Sequence, residues 1–139
     1  RELEPAAAAG VIRWTGGGYV PNDQALACVR GATAGLSLLH DEPNYRHSLP
    51  TKVIEYMAHG VPVITTPLPA AAELVERYGC GVVVPFGDVD AVGRAVRDLH
   101  AQPDRREEMG RRGHEAARRD LSWQREGERF VALLRTWAR

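Results

Sequence analysis

The chain has 139 residues, enough for one compact domain. Its 44% hydrophobic and 26% charged residues are typical of a globular protein, and it has no apolar run of the roughly 18 residues that span a membrane. The 18 basic and 18 acidic residues cancel, which argues against a nucleic-acid partner because such partners favour a basic excess.

The start of the chain has no features of a secretory signal, and a cytoplasmic protein is expected. Residues 1–5 lack both an initiator Met and the apolar core of a signal peptide. We therefore expect a piece of a larger protein. Cys28 and Cys80 lie on stretches that predict burial, so two reduced core thiols are expected rather than a disulfide.

Short apolar runs alternate with helical stretches along the chain. The runs predict four strands, at 11–15, 35–39, 61–65 and 81–84. A polar loop is expected from 40 to 47. Helices are predicted from Asn22 as N-cap to about Ala32, from about Leu49 to Gly60, over 70–78, from Asp88 as N-cap to about Ala101, after Pro103, and from about Ser122.

This alternation predicts an α/β fold with a doubly wound parallel sheet, because parallel strands need helical crossovers. In such sheets ligands bind beyond the carboxyl ends of the strands. The segments expected to carry the site are therefore 16–22, 40–52, 65–70 and 85–88.

The segment from Ser48 to Ile64 has the features of a phosphate site at a helix start. Pro50 suits the first turn, and Ser48 and Thr51 offer hydroxyls beside unbonded backbone amides. Lys52, the only Lys against 17 Arg, adds a full positive charge. Glu55 shares its helix face and is placed to accept hydrogen bonds from two ribose hydroxyls. The segment predicts a bound nucleoside diphosphate; the alternative is that Lys52 and Glu55 form a solvated helix pair.

The motif P-T-K-x-x-E-Y-M-A-x-G-x-P-V over residues 50–63 resembles the signature of retaining glycosyltransferases of the GT-B fold, family 4. The resemblance continues through Gly79 to Pro85 and Gly87-Asp88, and through Leu121-Ser122-Trp123. It implies the Rossmann-like, C-terminal donor-binding domain of such an enzyme, occupying residues 1–139 and incomplete at its N-terminus.

The resemblance also implies roles for individual residues. Glu55 matches the second Glu of the family's E-x7-E motif, which holds the ribose. Backbone amides facing the diphosphate and sugar are expected on Ser48, Leu49, Pro50 and Thr51, although Pro50 itself has no N–H. Tyr19 and Val20 match the loop whose backbone holds the base.

The chain departs from the family pattern eight positions before Glu55. His47 stands there instead of Glu, so the residue that normally meets the donor sugar is absent or displaced. Asp41 or Glu42, on the longer loop, are candidates to replace it, and His47 itself is the third.

The function implied is transfer of a glycosyl group from a nucleotide diphosphate sugar to an acceptor sugar, lipid or small molecule. No cofactor or metal is expected, because a helix dipole and Lys52 would stabilise the leaving diphosphate. The acceptor domain is expected upstream of this chain. We therefore expect the isolated chain to be inactive and to self-associate through an unpaired strand edge.

Several alternatives stand beside this interpretation. One is a sugar-nucleotide epimerase-like domain, and another is a non-catalytic interaction module of response-regulator type that uses Asp41. Asp88-Val89-Asp90 has the D-x-D spelling of a metal site, but an N-cap is the stronger interpretation of Asp88. The five histidines lack zinc spacing. The arginines between 105 and 119 favour a solvated helix face, with peripheral contact to an anionic inner-membrane surface as the alternative.

Overall fold

The computed structural model describes residues 4–10, 12 and 19–137. Within these residues the helices are α1 (Glu4–Ala8), α2 (Asn22–Val29), α3 (Pro43–Arg46), α4 (Thr51–Ala58), α5 (Pro69–Tyr78), α6 (Val89–Ala101), α7 (Pro103–Asp120) and α8 (Trp123–Trp137). The strands are β1 (Gly35–Ser37), β2 (Val63–Thr65) and β3 (Gly81–Val83).

The three strands form one parallel sheet in the order β1-β2-β3. Gly35 pairs with Val63, and Val63 pairs with Gly81. The chain crosses from β1 to β2 through α3 and α4, and from β2 to β3 through α5. This confirms the predicted parallel α/β sheet. The predicted strand at 11–15 lies outside the described residues except for Ile12, whose amide donates to the Ala6 carbonyl.

Both faces of the sheet are covered by helices, which explains the near-continuous apolar strands. On one face Val63 packs in a cluster with residues of α4, α5 and α7, including Val53, Val75 and Ala116. On the other face Ile64 packs with Leu99 and other residues of α6. Successive strand residues point to opposite faces, so β2 contributes to both clusters.

The strands are shorter than predicted, because some apolar residues beside them are buried without pairing with a neighbouring strand. Val61 and Pro62 are buried but precede β2. The Pro62 carbonyl accepts a hydrogen bond from the Gly35 amide of β1, whereas the Val61 amide donates to the Tyr56 carbonyl of α4. Leu38 and Leu39 follow β1, and the loop predicted after them contains the short helix α3.

Most helix ends match the predictions. Asp88 caps α6, since its Oδ1 accepts from the Ala91 amide at 2.7 Å. Gly60 follows α4 with φ of +69°, a conformation that suits glycine. The prediction for Asn22 is wrong: Pro21, with extended ψ, is the N-cap of α2, and Asn22 is already helical and makes no side-chain cap. The helix also ends at Val29 because Arg30 is extended.

One of the two cysteine predictions is wrong. Cys28 is exposed, because α2 has no buried residue. Cys80 is buried beside Val75, and this burial raises the pKa of its thiol to about 11.

Helices α4 and α7 cross at very close range. Gly110 of α7 lies against the backbone carbonyl of Gly60, and Gly113 lies against Met57 and Cys80. His114 Nδ1 is 2.7 Å from the carbonyl oxygen of Ala58. This contact fixes the C-terminal end of α4 in the fold.

The last helix, α8, has no buried residue. Its large apolar side chains are all exposed; they are Trp123, Phe130, Val131, Leu133, Leu134 and Trp137. Among the described residues, no helix has both the length and the apolar character needed to cross a membrane.

Candidate functional site

Hydroxyl groups tie β1 and β2 together at the carboxyl edge of the sheet. Thr65 Oγ1 donates to the Ser37 carbonyl at 3.1 Å, and Thr66 Oγ1 donates to the Leu39 carbonyl at 2.7 Å. These threonines and Ser37 are buried. The loop that leaves β1 toward α4 therefore starts from a fixed position, as a binding loop requires.

A cavity of about 170 Å³ opens at this edge, between the loops after the three strands and the start of α6. Leu38, Thr66, Pro85 and Val92 are among its lining residues. None of the predicted donor-binding residues lines it. We therefore distinguish this cavity from the candidate nucleotide site at the start of α4.

The start of α4 presents unbonded backbone donors. Pro50 is its N-cap and makes no side-chain cap. The Val53 amide donates to the Pro50 carbonyl at 3.0 Å, whereas the amides of Thr51 and Lys52 donate to no other described residue. Two N–H groups at the positive end of a helix are suited to an anion.

The side chains of Lys52 and Glu55 lie one turn apart on α4, and both are half-buried. Neither forms a side-chain hydrogen bond or ion pair with the described part of the chain. The solvated helix pair considered as the alternative is therefore not formed. The ammonium and the carboxylate both remain available for a ligand.

The loop before α4 is held on the core by two side chains. Tyr45 of α3 and Leu49 pack against the cluster that contains Val53. The hydroxyl and the amide of Ser48 both donate to the Tyr45 carbonyl at 3.2 Å. The Ser48 hydroxyl thus already has a partner, while its lone pairs can still accept.

The three candidates to replace the missing Glu differ in what holds them. Arg46 binds both carboxylate oxygens of Asp41, through Nε at 2.7 Å and Nη2 at 2.9 Å. The hydrogen bonds from Arg46 hold the pKa of the Asp41 carboxyl below its usual value. Glu42 and His47 are exposed, and neither side chain forms a hydrogen bond or ion pair with a described residue. The hydrogen bonds with Asp41 raise the pKa of Arg46, and the nearby charge of Glu42 adds to this effect. Asp41 is therefore occupied, and Glu42 and His47 are available.

Tyr19 and Val20, the predicted base contacts, lie just before α2. The side chain of Tyr19 is 90% exposed, and Val20 is exposed as well. In the part of the chain that the structure describes, no hydrogen bond joins them to the loop before α4. Their role in holding a base stays a prediction.

Arg46 is the residue of this region that the sequence analysis passed over. Its pairing with Asp41 spans five positions across a short helix that was predicted as loop. The signal was present in the sequence as an acidic residue, Asp41, five positions before a basic residue, Arg46. A helix start at Pro43 would have been needed to interpret it.

Neither aspartate of the D-x-D spelling belongs to a metal cluster. The described residues contain no group of three or more His, Cys, Asp or Glu side chains arranged to hold a metal ion. Asp88 is engaged as a helix cap, and Asp90 lies in the first turn of α6.

The chain is similar to known proteins over most of its length. A family model described as glycosyl transferase-like matches residues 2–132. The GDP-mannose-dependent alpha-(1-6)-phosphatidylinositol monomannoside mannosyltransferase of Mycolicibacterium smegmatis is 40% identical over 81 residues, which are 58% of this chain and 21% of that protein. The match therefore spans about a fifth of the relative's length.

A solved structure shares the fold. Sucrose-phosphate synthase from Thermosynechococcus elongatus superposes with a TM-score of 0.78 over 97% of this chain and 34% of that one, at 22% identity. This likeness to a GT-B glycosyltransferase agrees with the parallel α/β sheet described above.

Proposed function

This chain belongs to the glycosyl transferase-like family, and on that premise we propose that it binds the nucleotide diphosphate sugar of a glycosyltransferase. The observation that carries the proposal is the start of α4. Two backbone amides without a hydrogen-bond partner among the described residues lie there, within about one turn of the side chains of Lys52 and Glu55. Donor and acceptor would meet between this chain and an acceptor domain outside it.

The diphosphate of the donor would lie at the start of α4. The amides of Thr51 and Lys52 supply hydrogen bonds, and the Lys52 ammonium supplies a full charge. The same groups would stabilise the negative charge that develops on the diphosphate as the sugar leaves. This electrostatic role needs no metal ion or cofactor.

The ribose of the donor would lie one turn along the helix. A carboxylate can accept hydrogen bonds from two vicinal hydroxyls at once, and the Glu55 carboxylate is unoccupied. Glu42 or His47 would meet the donor sugar, in place of the family's first Glu. Tyr19 and Val20 would contact the base.

The finer assignment follows the relatives. The mycobacterial relative is described as GDP-mannose-dependent and as acting on a phosphatidylinositol mannoside, so GDP-mannose and a membrane glycolipid are the first substrates to test. A family 4 enzyme would transfer with retention of configuration. An acceptor in the membrane would place the protein at the inner membrane face, where peripheral contact is part of this proposal.

The two other functional interpretations gain no support. The interaction module of response-regulator type requires acidic residues clustered at a strand end, and the described residues contain no group of three or more His, Cys, Asp or Glu side chains arranged to hold a metal ion. The epimerase-like interpretation shares the fold but not the P-T-K-x-x-E motif of residues 50–55.

Replacing Glu55 tests the proposed function. In the full-length protein, Glu55→Ala should weaken binding of a nucleoside diphosphate by about 1.5–3 kcal/mol, the range for a lost charged hydrogen bond. Isothermal titration calorimetry measures this directly. Glu76→Ala, on the exposed face of α5, is the matched control and should leave the affinity unchanged. Equal affinity in the Glu55→Ala variant and the parent contradicts the ribose assignment.

A further inference from the structure

The pair formed by Arg46 and Asp41 lies on the loop that leads directly into the start of α4. Arg46 and Thr51 are five residues apart, so their Cα atoms are at most about 18 Å from each other. The Ser48 bonds to the Tyr45 carbonyl fold this stretch back on itself. Tyr45 and Leu49 anchor it to the cluster beneath α4. Arg46 thus belongs to an anchored loop that ends at the phosphate end of the proposed site.

The geometry of the pair matches that of a guanidinium on a phosphate. Arg46 donates two hydrogen bonds to two oxygens of one carboxylate, at 2.7 and 2.9 Å. A phosphate presents two oxygens in a similar arrangement and takes the same two-pronged contact. Asp41 therefore occupies the donors that a diphosphate would use.

The pair is also easily exchanged. The side chains of Arg46 and Asp41 are 53% and 46% exposed, and an ion pair at such a surface contributes little to stability. A diphosphate carries more charge than one carboxylate, and the amides at the start of α4 would hold it at the end of the same loop. Arg46 would then bind the diphosphate in preference to the Asp41 carboxylate.

We propose that Arg46 is a ligand of the donor diphosphate and that Asp41 holds its guanidinium in place until the donor binds. This inference rests on the proposed function and adds a basic contact from the loop before α4. In this view Asp41 is a competitor of the diphosphate, not a group that meets the donor sugar. Removing Arg46 and removing the charge of Asp41 should therefore have opposite effects.

The test compares single and double variants of the full-length protein by calorimetry. The probes are whichever of GDP, UDP and ADP the parent binds most tightly, and the matching nucleoside. Arg46→Ala should weaken binding of the diphosphate roughly tenfold, as expected for a lost charge-assisted contact. Asp41→Asn should tighten it about two- to fivefold, the effect of removing a competing exposed pair. Neither variant should change binding of the nucleoside.

The double variant separates competition from a general effect of charge. In the Arg46→Ala background, Asp41→Asn should have no further effect on binding, because the competed guanidinium is gone. An Asp41→Asn effect that persists in that background contradicts the proposal. So does weakening of binding by both single variants, which would mean that the pair only shapes the loop.

The outcome for the parent protein distinguishes this inference from the proposed function. A parent that binds none of the three diphosphates contradicts the proposed function, and the inference falls with it. A parent that binds one of them, with unchanged affinity in the Arg46→Ala variant, contradicts the inference alone.

Discussion

The carboxylate of Asp88 shows how a residue's role depends on its place in an element. The D-x-D spelling of residues 88–90 resembles a metal site, yet Asp88 bonds the Ala91 amide at the start of α6. Asp88 Oδ1 thus accepts from a backbone amide of the helix, and Asp88 Oδ2 lies 3.8 Å from Arg94 Nη2. We interpret Asp88 as a residue that stabilises the start of α6.

Two measurements check this interpretation. Asp88→Ala should lower the free energy of unfolding by about 1 kcal/mol, as for other lost N-caps, with nucleotide affinity unchanged. Nucleotide binding should also be the same with EDTA as with magnesium, because in the proposed site Lys52 and the amides of α4 would meet the diphosphate charge. Loss of binding in EDTA that magnesium restores would show that the site needs a divalent ion.

Sequence reasoning predicted the surroundings of individual residues where local backbone chemistry decides them. The helix start after Pro50 was predicted from residues within one turn, and the phosphate-binding role of this start and of Lys52 stays a proposal. Cys28 and Arg46 were harder to predict because their surroundings depend on the tertiary structure. Cys28 lies on a helix with an exposed face, and Arg46 pairs across a short helix that lacks a strong sequence signal.

At the scale of elements, helix ends were predicted better than strand ends. Gly60 and Asp88 mark the ends of α4 and α6 through local backbone chemistry. Strand length depends instead on which neighbours pair. Val61 and Pro62 are buried beside the sheet without belonging to β2, and no pattern in a single sequence separates burial from pairing.

The crossing of α4 and α7 gives a prediction at this scale. A Cβ atom at position 110 would collide with the backbone carbonyl of Gly60, which cannot move aside without shifting a helix end. Gly110→Ala should therefore lower the free energy of unfolding by about 1–3 kcal/mol, the usual cost of overpacking. Chemical denaturation measures the change.

The matched control is Gly93→Ala in α6. The added Cβ would meet only the end of the flexible Arg97 side chain, at 3.2 Å from Nη1. Alanine is favoured over glycine in a helix by roughly 0.5–1 kcal/mol, so this variant should be as stable as the parent or more so. Equal destabilisation by both substitutions would contradict the close crossing.

At the scale of the whole molecule, the described residues leave two apolar surfaces exposed. In the described sheet, β1 pairs only with β2, and beside that edge Leu36 and Leu38 are 41% and 36% exposed. The apolar side chains of α8 form the second surface. An unpaired strand edge with exposed apolar residues is a site for association with another chain.

We therefore expect the 139-residue chain to self-associate, with a mass by light scattering that rises with protein concentration. Leu36→Lys should reduce the association, because a charge at a strand edge opposes pairing. Truncation after Asp120 removes α8 and serves as the comparison. If truncation alone restores a monomer, α8 and not the strand edge is the contact. A monomeric parent would contradict the prediction altogether.

The position of Lys52 at the start of α4 has a practical consequence for chemical labelling. All other basic side chains of this chain, apart from histidines, are arginines, and acylating reagents for amines do not modify a guanidinium. Within residues 1–139, such a reagent would modify a single side chain, at the proposed phosphate site. A nucleotide bound there would shield that side chain, so the mass of one peptide would record occupancy of the site.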